Sequence, residues 1–190
     1  MILVVASGAR GARAFAWDAQ TEEYRLFQIL NMSDGSSDAD AEGVCVSKVT
    51  QGRIFVIVGN GGPFNSTAYE WVGGSFKFSH AIPGGGYAGR CASFSAGTMR
   101  LVAIPRLRNA TSYDAMSSIL RWDDSAGQGQ GRFVLHQNIE THGAVDASVA
   151  SIFGSLLVLS FANSVGTHEG LTATTRDFQV VGSSLGSGKL

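Results

Sequence analysis

The three tryptophans of this 190-residue chain recur at nearly equal intervals. Trp17, Trp71 and Trp122 lie 54 and 51 residues apart. Each ends a segment that reads as a strand, and an aromatic residue follows each one after a turn. These aromatics are Tyr24, Phe76 and Phe133. A period of about 50 residues predicts similar structural units that stack side by side and bury their rings between them.

Two more positions follow the same period. Four residues after each aromatic stands a polar side chain, and an aliphatic one follows two residues later. The polar positions are Gln28, His80 and Gln137, and the aliphatic ones are Leu30, Ile82 and Ile139. Because His80 replaces glutamine at a position of the repeat, we expect a structural role for it.

Short apolar runs bounded by Gly, Ser and Asn are typical of strands. One such run precedes each hairpin, at residues 2–6, 54–58 and 101–104, and a fourth copy lies at 156–161. A further strand fits after each hairpin, near residues 44–49, 90–94 and 148–153. Four short antiparallel strands per period describe a β-propeller blade. The sequence therefore predicts an all-β fold of about three and a half four-stranded blades, with the continuous apolar strand innermost.

The repeat also defines the domain organisation. The units span approximately residues 1–49, 50–97 and 98–152, with a partial copy at 153–181, where the next tryptophan is missing. Residues 182–190 are rich in Gly and Ser and are predicted to be a tail.

Charge and hydropathy exclude some classes of partner. The net charge is −1 without a charge block, so neither nucleic acid binding nor attraction to an anionic membrane is predicted. Arg106 and Arg108 are predicted to be solvated loop residues. No apolar stretch approaches the roughly 20 residues of a membrane span, and the apolar start at residues 1–6 is too short for a signal peptide.

Cys45 and Cys91 are the two cysteines. They form no C-x-x-C motif, so a zinc or thioredoxin-like site is not indicated. A disulfide between them and two buried thiols both fit the sequence.

The third unit carries a family likeness. It contains SILRW at 118–122, RFVLHQNI at 132–139 and THGAVD at 141–146, and the next strand closes on FAN at 161–163. This pattern resembles the EAR repeat, also called the epilepsy-associated or EPTP repeat. The resemblance covers about residues 2–164.

The resemblance implies a seven-bladed extracellular propeller that binds a protein partner. In the secreted leucine-rich glioma-inactivated proteins, such domains bind cell-surface receptors of the inactive metalloprotease type. Seven blades need roughly 350 residues at this period. A fragment, an open half-propeller and a protomer that pairs with a second copy are all compatible with the chain. An open propeller would expose apolar faces, which predicts self-association.

Four side chains are candidate site residues. Tyr87 and Tyr113, near a predicted rim, are candidate anchors for a partner. Asp40 and Asp146 are predicted to occupy equivalent inner-loop positions, where their oxygens could hold a cation in a central channel. The alternative for both is a hydrogen bond to a turn amide. No other cofactor is predicted.

Three glycosylation sequons lie in predicted loops and begin at Asn31, Asn65 and Asn109. They favour a secreted glycoprotein.

The leading functional hypothesis is a non-enzymatic, extracellular protein-interaction module. One alternative is a self-assembling structural repeat. The other is a propeller-type hydrolase or lyase, in which Asp146 would be the first residue to replace. The G-x-G-x-x-G at residues 84–89 lacks a following helix and is predicted to be a turn.

Overall fold

The structure is a computed structural model that describes residues 1–8, 11–31, 40–84, 87–109, 112–152, 156–164 and 178–184. At residues 152, 156 and 178–184 it describes the backbone only. No helix in these ranges is long and apolar enough to cross a membrane. The strands in chain order are β1 (Ile2–Ala6), β2 (Ala12–Asp18), β3 (Glu23–Leu30), β4 (Ala41–Lys48), β5 (Ile54–Asn60), β6 (Ser66–Val72), β7 (Ser75–Ile82), β8 (Tyr87–Ala88), β9 (Ala92–Ala96), β10 (Met99–Ile104), β11 (Arg106–Arg108), β12 (Asp114–Asp123), β13 (Arg132–His142), β14 (Ala144–Ile152), β15 (Leu156–Asn163) and β16 (Phe178–Ser184).

The strands form four main antiparallel sheets. Their orders are β1-β2-β3, β4-β5-β6-β7, β9-β10-β12-β13 and β14-β15-β16, and we call them the first to fourth sheets. A ribbon of β8 and β11 lies beside them. The prediction of an all-β, repeat-like fold is confirmed, with three, four, four and three strands in place of a uniform four. None of the described sheets is closed, and the propeller ring stays a prediction.

Strand pairing differs from the predicted unit in one respect. In the second, third and fourth sheets the continuous apolar strand is not the innermost strand, as predicted, but the second, because β4 pairs with β5, β9 with β10 and β14 with β15. The first strand of each of these sheets thus follows the hairpin of the preceding unit in sequence. In the second and third sheets, β5 and β10 therefore have a neighbouring strand at both edges and a sheet against each face.

Close contacts between sheets explain why strands with small residues come first. The amide of Arg90 donates to the carbonyl of Val145 at 3.0 Å, and the amide of Ala147 donates to the carbonyl of Arg90 at 3.1 Å. A Cβ atom on Gly43 would lie 2.5 Å from the Cα atom of Arg90. The main chains of the second, third and fourth sheets therefore converge here, and bulky side chains would separate them.

The three tryptophans occupy the same position in successive sheets. Each is the cross-strand partner of the aromatic that follows it. The ring centroids are 5.1, 4.9 and 5.1 Å apart for Trp17, Trp71 and Trp122, and the interplanar angles are 68°, 69° and 70°. Edge-to-face geometry of this kind is favourable for aromatic pairs. The spacing in the sequence therefore reflects a repeated packing unit.

A β-bulge recurs at one place in the same three hairpins. It leaves one residue unpaired in β3, β7 and β13. The unpaired residues are Phe27, Ser79 and His136. Each directly precedes the polar position of the repeat, so the bulge sets the direction of the side chain that follows.

The polar position links neighbouring sheets. The Gln28 side chain donates to the carbonyl of Phe76 at 2.7 Å and accepts from the amide of Phe76 at 2.9 Å. One sheet further along, Nε2 of His80 accepts from the amide of Phe133 at 3.2 Å. The sequence prediction that His80 substitutes for a structural glutamine agrees with this geometry.

Three apolar layers hold the four sheets together. Alternate residues of each second strand face opposite neighbours, as the period of two requires. In β5, Val56 and Val58 face the first sheet, whereas Phe55 and Ile57 face the third. The third layer, between the third and fourth sheets, is centred on buried aliphatic and aromatic side chains. They include Leu101, Ala103, Ile119, Leu159 and Phe161.

A disulfide joins Cys45 of β4 to Cys91, just before β9. Their Cα atoms are 5.5 Å apart. Both residues belong to the apolar layer between the second and third sheets. Of the two possibilities that the sequence left open, a disulfide and a pair of buried thiols, the structure shows the disulfide.

The last strand extends into the predicted tail. β16 pairs with β15 from Phe178 to Ser184. Residues 182–184, which composition assigns to the Gly/Ser-rich tail, thus belong to the fourth sheet.

His80 should make stability pH-dependent. Burial, with the nearby charges of Arg132 and Arg53, lowers the pKa of His80 from 6.5 to about 4. The unfolded chain therefore takes up this proton at a higher pH than the folded chain. The stabilisation is present above pH 6.5 and is lost as the pH falls towards 4, by about 1–2 kcal/mol after allowance for solvent screening. Urea unfolding at a series of pH values measures this loss.

The variant His80→Gln is the matched control, because Gln28 makes the same inter-sheet contact. We expect its stability at pH 7 to lie within about 1 kcal/mol of the wild type. Its loss of stability between pH 7 and pH 4.5 should be smaller than that of the wild type. Equal losses in the two proteins would contradict the role given to His80.

Candidate functional site

A cavity of about 650 Å³ opens where the ends of the first strands converge. We call it the inner-strand cleft. Residues from the second and fourth sheets and from the β8–β11 ribbon surround it. Its lining is Glu42, Gly61, Tyr87, Ala88, Gly89, Arg90, Leu107, Val145, Asp146, Ala162, Asn163 and Ser164.

Matching β-bulges shape the two sides of the cleft. Ala41 pairs with Asn60 and Ala144 pairs with Asn163, and a bulge follows directly in both sheets. Asn60 and Asn163 are buried, and Oδ1 of Asn60 accepts from the amide of Gly62 at 2.9 Å. The bulged residue of the second sheet is Glu42, whose side chain is thereby exposed at the cleft.

Glycine is required on the third side. A Cβ atom on Gly89 would overlap the carbonyl group of Val145. The amide of Gly89 donates to the carbonyl of Pro105 at 2.9 Å, which fixes this segment against β11. Any larger residue here would clash with β14 and displace the segment that follows β8.

A bidentate ion pair crosses the cleft floor. Nε and Nη2 of Arg90 lie 3.1 and 2.7 Å from the two carboxylate oxygens of Asp146. The side chains are 69% and 33% exposed. A pair this accessible contributes only about 0–1 kcal/mol to stability, so its charges remain accessible to a partner.

Glu42 brings a second carboxylate to the cleft. Among the residues that the structure describes, none forms a hydrogen bond or ion pair with it. Its side-chain carbon atoms lie against Gly61, where a Cβ atom would overlap them. Glu42 is therefore a positioned negative charge that can accept a cationic group.

Of the two predicted anchors, the structure places Tyr87 in the cleft. The Arg108 guanidinium lies 3.9 Å from the Tyr87 ring centroid, a cation–π contact that holds the half-buried ring in place. Tyr113 is not among the lining residues. Its carbonyl accepts from the amides of Ala115 and Gly143 at 2.9 and 2.7 Å, in the turn before β12.

Asp40 and Asp146 do not occupy equivalent positions. Asp40 precedes Ala41, whereas Asp146 comes two residues after Ala144, and Ala41 and Ala144 are the matching positions. By register, Gly43 and not Asp40 corresponds to Asp146. The Asp40 carbonyl accepts from the amide of Gly61 at 2.6 Å. In the described ranges, no three His, Cys, Asp or Glu side chains gather as a metal site would require.

Arg106 is not a solvated loop residue, contrary to the prediction. It is 1% exposed, and its amide donates to Oγ of Ser117 at 3.1 Å. Ser117 in turn contacts Oγ1 of Thr141 at 2.8 Å, within a buried polar cluster beneath the β8–β11 ribbon. Burial lowers the pKa of Arg106 to about 10. The sequence shows only two arginines close together, Arg106 and Arg108, which suggested a solvated loop. The burial of Arg106 depends on the pairing of β11 with β8, which the sequence does not show.

The three sequon asparagines are exposed. Asn65 precedes β6, and Oδ1 of Asn109 accepts from the amide of Ser112 at 2.8 Å. The carbonyl of Asn31 accepts from the Tyr69 hydroxyl. Residues 32, 33, 110 and 111 of two sequons lie outside the described residues. Glycosylation stays a prediction.

Comparison with known proteins gives no match, either to a protein-family model or to a curated protein.

Proposed function

We propose that this chain is a non-enzymatic protein-interaction module that binds a partner protein at the inner-strand cleft. The observation that carries the proposal is the convergence of three strand ends on one cavity with accessible charges. Binding sites tend to occur where a rigid scaffold presents loops and strand ends, and this cleft has such support on three sides.

The side chains of the cleft indicate the chemistry of the partner. Glu42 offers a carboxylate that has no partner among the described residues, and Arg90 can exchange its contact with Asp146 for an acidic group on the partner. Tyr87 supplies an aromatic surface that Arg108 already holds in place, so little side-chain entropy is lost on binding. A polypeptide loop that carries a Lys or Arg side chain next to an acidic one would complement this arrangement.

The proposed setting is extracellular. The Cys45–Cys91 disulfide and the exposed sequon asparagines support it, because disulfides persist mainly in oxidising compartments. The resemblance to the EAR repeat supports a β-propeller ring and a cell-surface receptor as partner. Side-by-side sheets with a repeated tryptophan position agree with blades of such a ring.

The proposal assigns no catalytic residue. Asp146, the first candidate of the hydrolase alternative, is bound in a bidentate pair by Arg90. A general base must instead be free to accept a proton from substrate or water.

The test is a binding screen of the secreted full-length protein against cell-surface ectodomains, followed by cleft variants. We expect Glu42→Gln and Arg90→Ala to weaken the binding of a captured partner at least tenfold. Charged pairs at protein interfaces have coupling energies large enough for this effect.

Arg121→Ala is the matched control. It also removes the arginine of an exposed ion pair, here with Asp123 at 3.1 Å, but both residues lie on β12 of the third sheet and neither lines the cleft. Binding by this variant should stay within twofold of the wild type, and all three variants should unfold close to the wild-type midpoint. A partner whose affinity is unchanged by both cleft variants would contradict the proposed site, and a screen without any partner would contradict the function.

A further inference from the structure

Within the residues that the structure describes, no other sheet covers one face of the first sheet. We call it the open face and define it by Leu3, Val5, Trp17 and Tyr24. These side chains are 37–44% exposed. Large apolar side chains clustered on one face mark an interaction surface more often than scattered ones do.

The register shows that the same positions are buried in the other sheets. Leu3 corresponds to Val56 and Val102, and Val5 corresponds to Val58 and Ile104. These four counterparts are at most 1% exposed. Likewise, Trp122 is 8% exposed, against 40% for Trp17. In each case the preceding sheet covers the residue.

Not every apolar position of the open face behaves in this way. Leu26 is 52% exposed, but its counterparts Phe78 and Leu135 are 55% and 57% exposed in sheets that do have a neighbour. Leu26 therefore lies beyond the reach of a covering sheet. Leu26 thus differs from Leu3, Val5 and Trp17, whose counterparts are buried wherever a preceding sheet covers them.

The covering surface has a distinct composition. Where the first sheet covers the second, it presents small residues, among them Ala6, Ala12 and Ala14. In the fourth sheet, Leu159 and Phe161 face the third sheet, so the alternate residues of β15 point the other way. Ser160 and Ala162 on this far side are partly exposed, and Ala162 corresponds to Ala6 by register. In the described part of the chain, the fourth sheet thus has a free face, of the kind that covers the tryptophan of the next sheet.

We propose that the open face of the first sheet binds the free face of the fourth sheet in a second copy of this chain. The contact is head to tail, because two different surfaces meet. It reproduces the packing between the first and second sheets within one copy. Two copies joined at both ends would set eight sheets in sequence, which lies within the range of four to eight blades in known propellers.

The test measures the mass of the full chain by sedimentation equilibrium between about 1 and 100 μM. We expect a concentration-dependent dimer for the wild type. Trp17→Arg should weaken association at least tenfold, and Leu3→Arg should do the same if the first variant does not fold. Leu26→Arg, on the same face but outside the covered positions, should dimerise as the wild type does.

A mixing experiment tests the head-to-tail geometry. Ser160→Arg should also abolish self-association, because it places a charge on the free face of the fourth sheet. A mixture of Trp17→Arg and Ser160→Arg chains still contains one intact surface of each kind, so it should form mixed dimers although neither variant dimerises alone. A wild type that is monomeric throughout, or dimers unaffected by Trp17→Arg, would overturn the proposal. A mixture that stays monomeric would overturn the head-to-tail contact.

Discussion

Trp122→Ala should destabilise the folded chain by about 3–5 kcal/mol, whereas Trp17→Ala in the monomer should cost less than about 1 kcal/mol. The two residues occupy the same position of the repeat and pack on the following aromatic in the same geometry. Trp122 also lies 4.8 Å from Phe55 of the neighbouring sheet and beneath the guanidinium of Arg53 at 5.0 Å. Removing it leaves a cavity between two sheets, whereas removing Trp17 leaves solvent.

Urea unfolding followed by far-ultraviolet circular dichroism measures both changes. The protein concentration must be low enough to keep the chain monomeric, because Trp17 belongs to the proposed contact between copies. Leu135→Ala controls for the loss of a large side chain from the third sheet, since Leu135 is exposed, and it should cost little. Equal costs at Trp17 and Trp122 would contradict the layered arrangement.

Removing the disulfide should have the second large effect. Replacing Cys45 and Cys91 together by alanine should lower the free energy of unfolding by about 3–4 kcal/mol. The bridge closes a loop across 46 residues of sequence. In the chain-entropy account, this loop restricts the unfolded chain much more than the folded one. The bridge also joins β4 of the second sheet to the residue just before β9 of the third sheet.

Urea unfolding with and without a thiol reductant separates this effect from a packing defect. The reduced wild type should approach the stability of the double variant, and the double variant should not respond to the reductant. A double variant with the wild-type midpoint would show that the bridge is absent or does not constrain the unfolded chain.

The repeat could be predicted from sequence because its markers are local. A tryptophan, a turn and an aromatic within 12 residues define a hairpin, and three copies at a near-constant spacing define the stack. The polar position was also predictable, since Gln28 and His80 fall at one place relative to the aromatic. The hairpin and its polar position can be predicted because side chains alternate between the two faces of a strand, and this alternation can be read from the sequence.

The remaining features depend on pairing between distant segments. In sequence, β4 follows the hairpin of the first sheet, but it pairs with β5 of the second sheet. This pairing depends on contacts between distant segments, so the sequence alone could not predict it. The connections before β4 and β14 differ greatly in length, so the sequence alone did not show that Asp40 lies three positions before Gly43, the register counterpart of Asp146. The Arg90–Asp146 pair could not be predicted either, because it joins segments that meet only in the folded chain.

The central claim is that the three tryptophans hold one position in successive sheets and differ only in whether a sheet covers them. Acrylamide quenching of fluorescence tests it directly, in three variants that each keep one tryptophan and carry phenylalanine at the other two positions. In monomeric samples we predict the strongest quenching for Trp17, weaker quenching for the half-buried Trp71 and the weakest for Trp122. Equal quenching of all three, or a Trp122 as accessible as Trp17, would contradict the account.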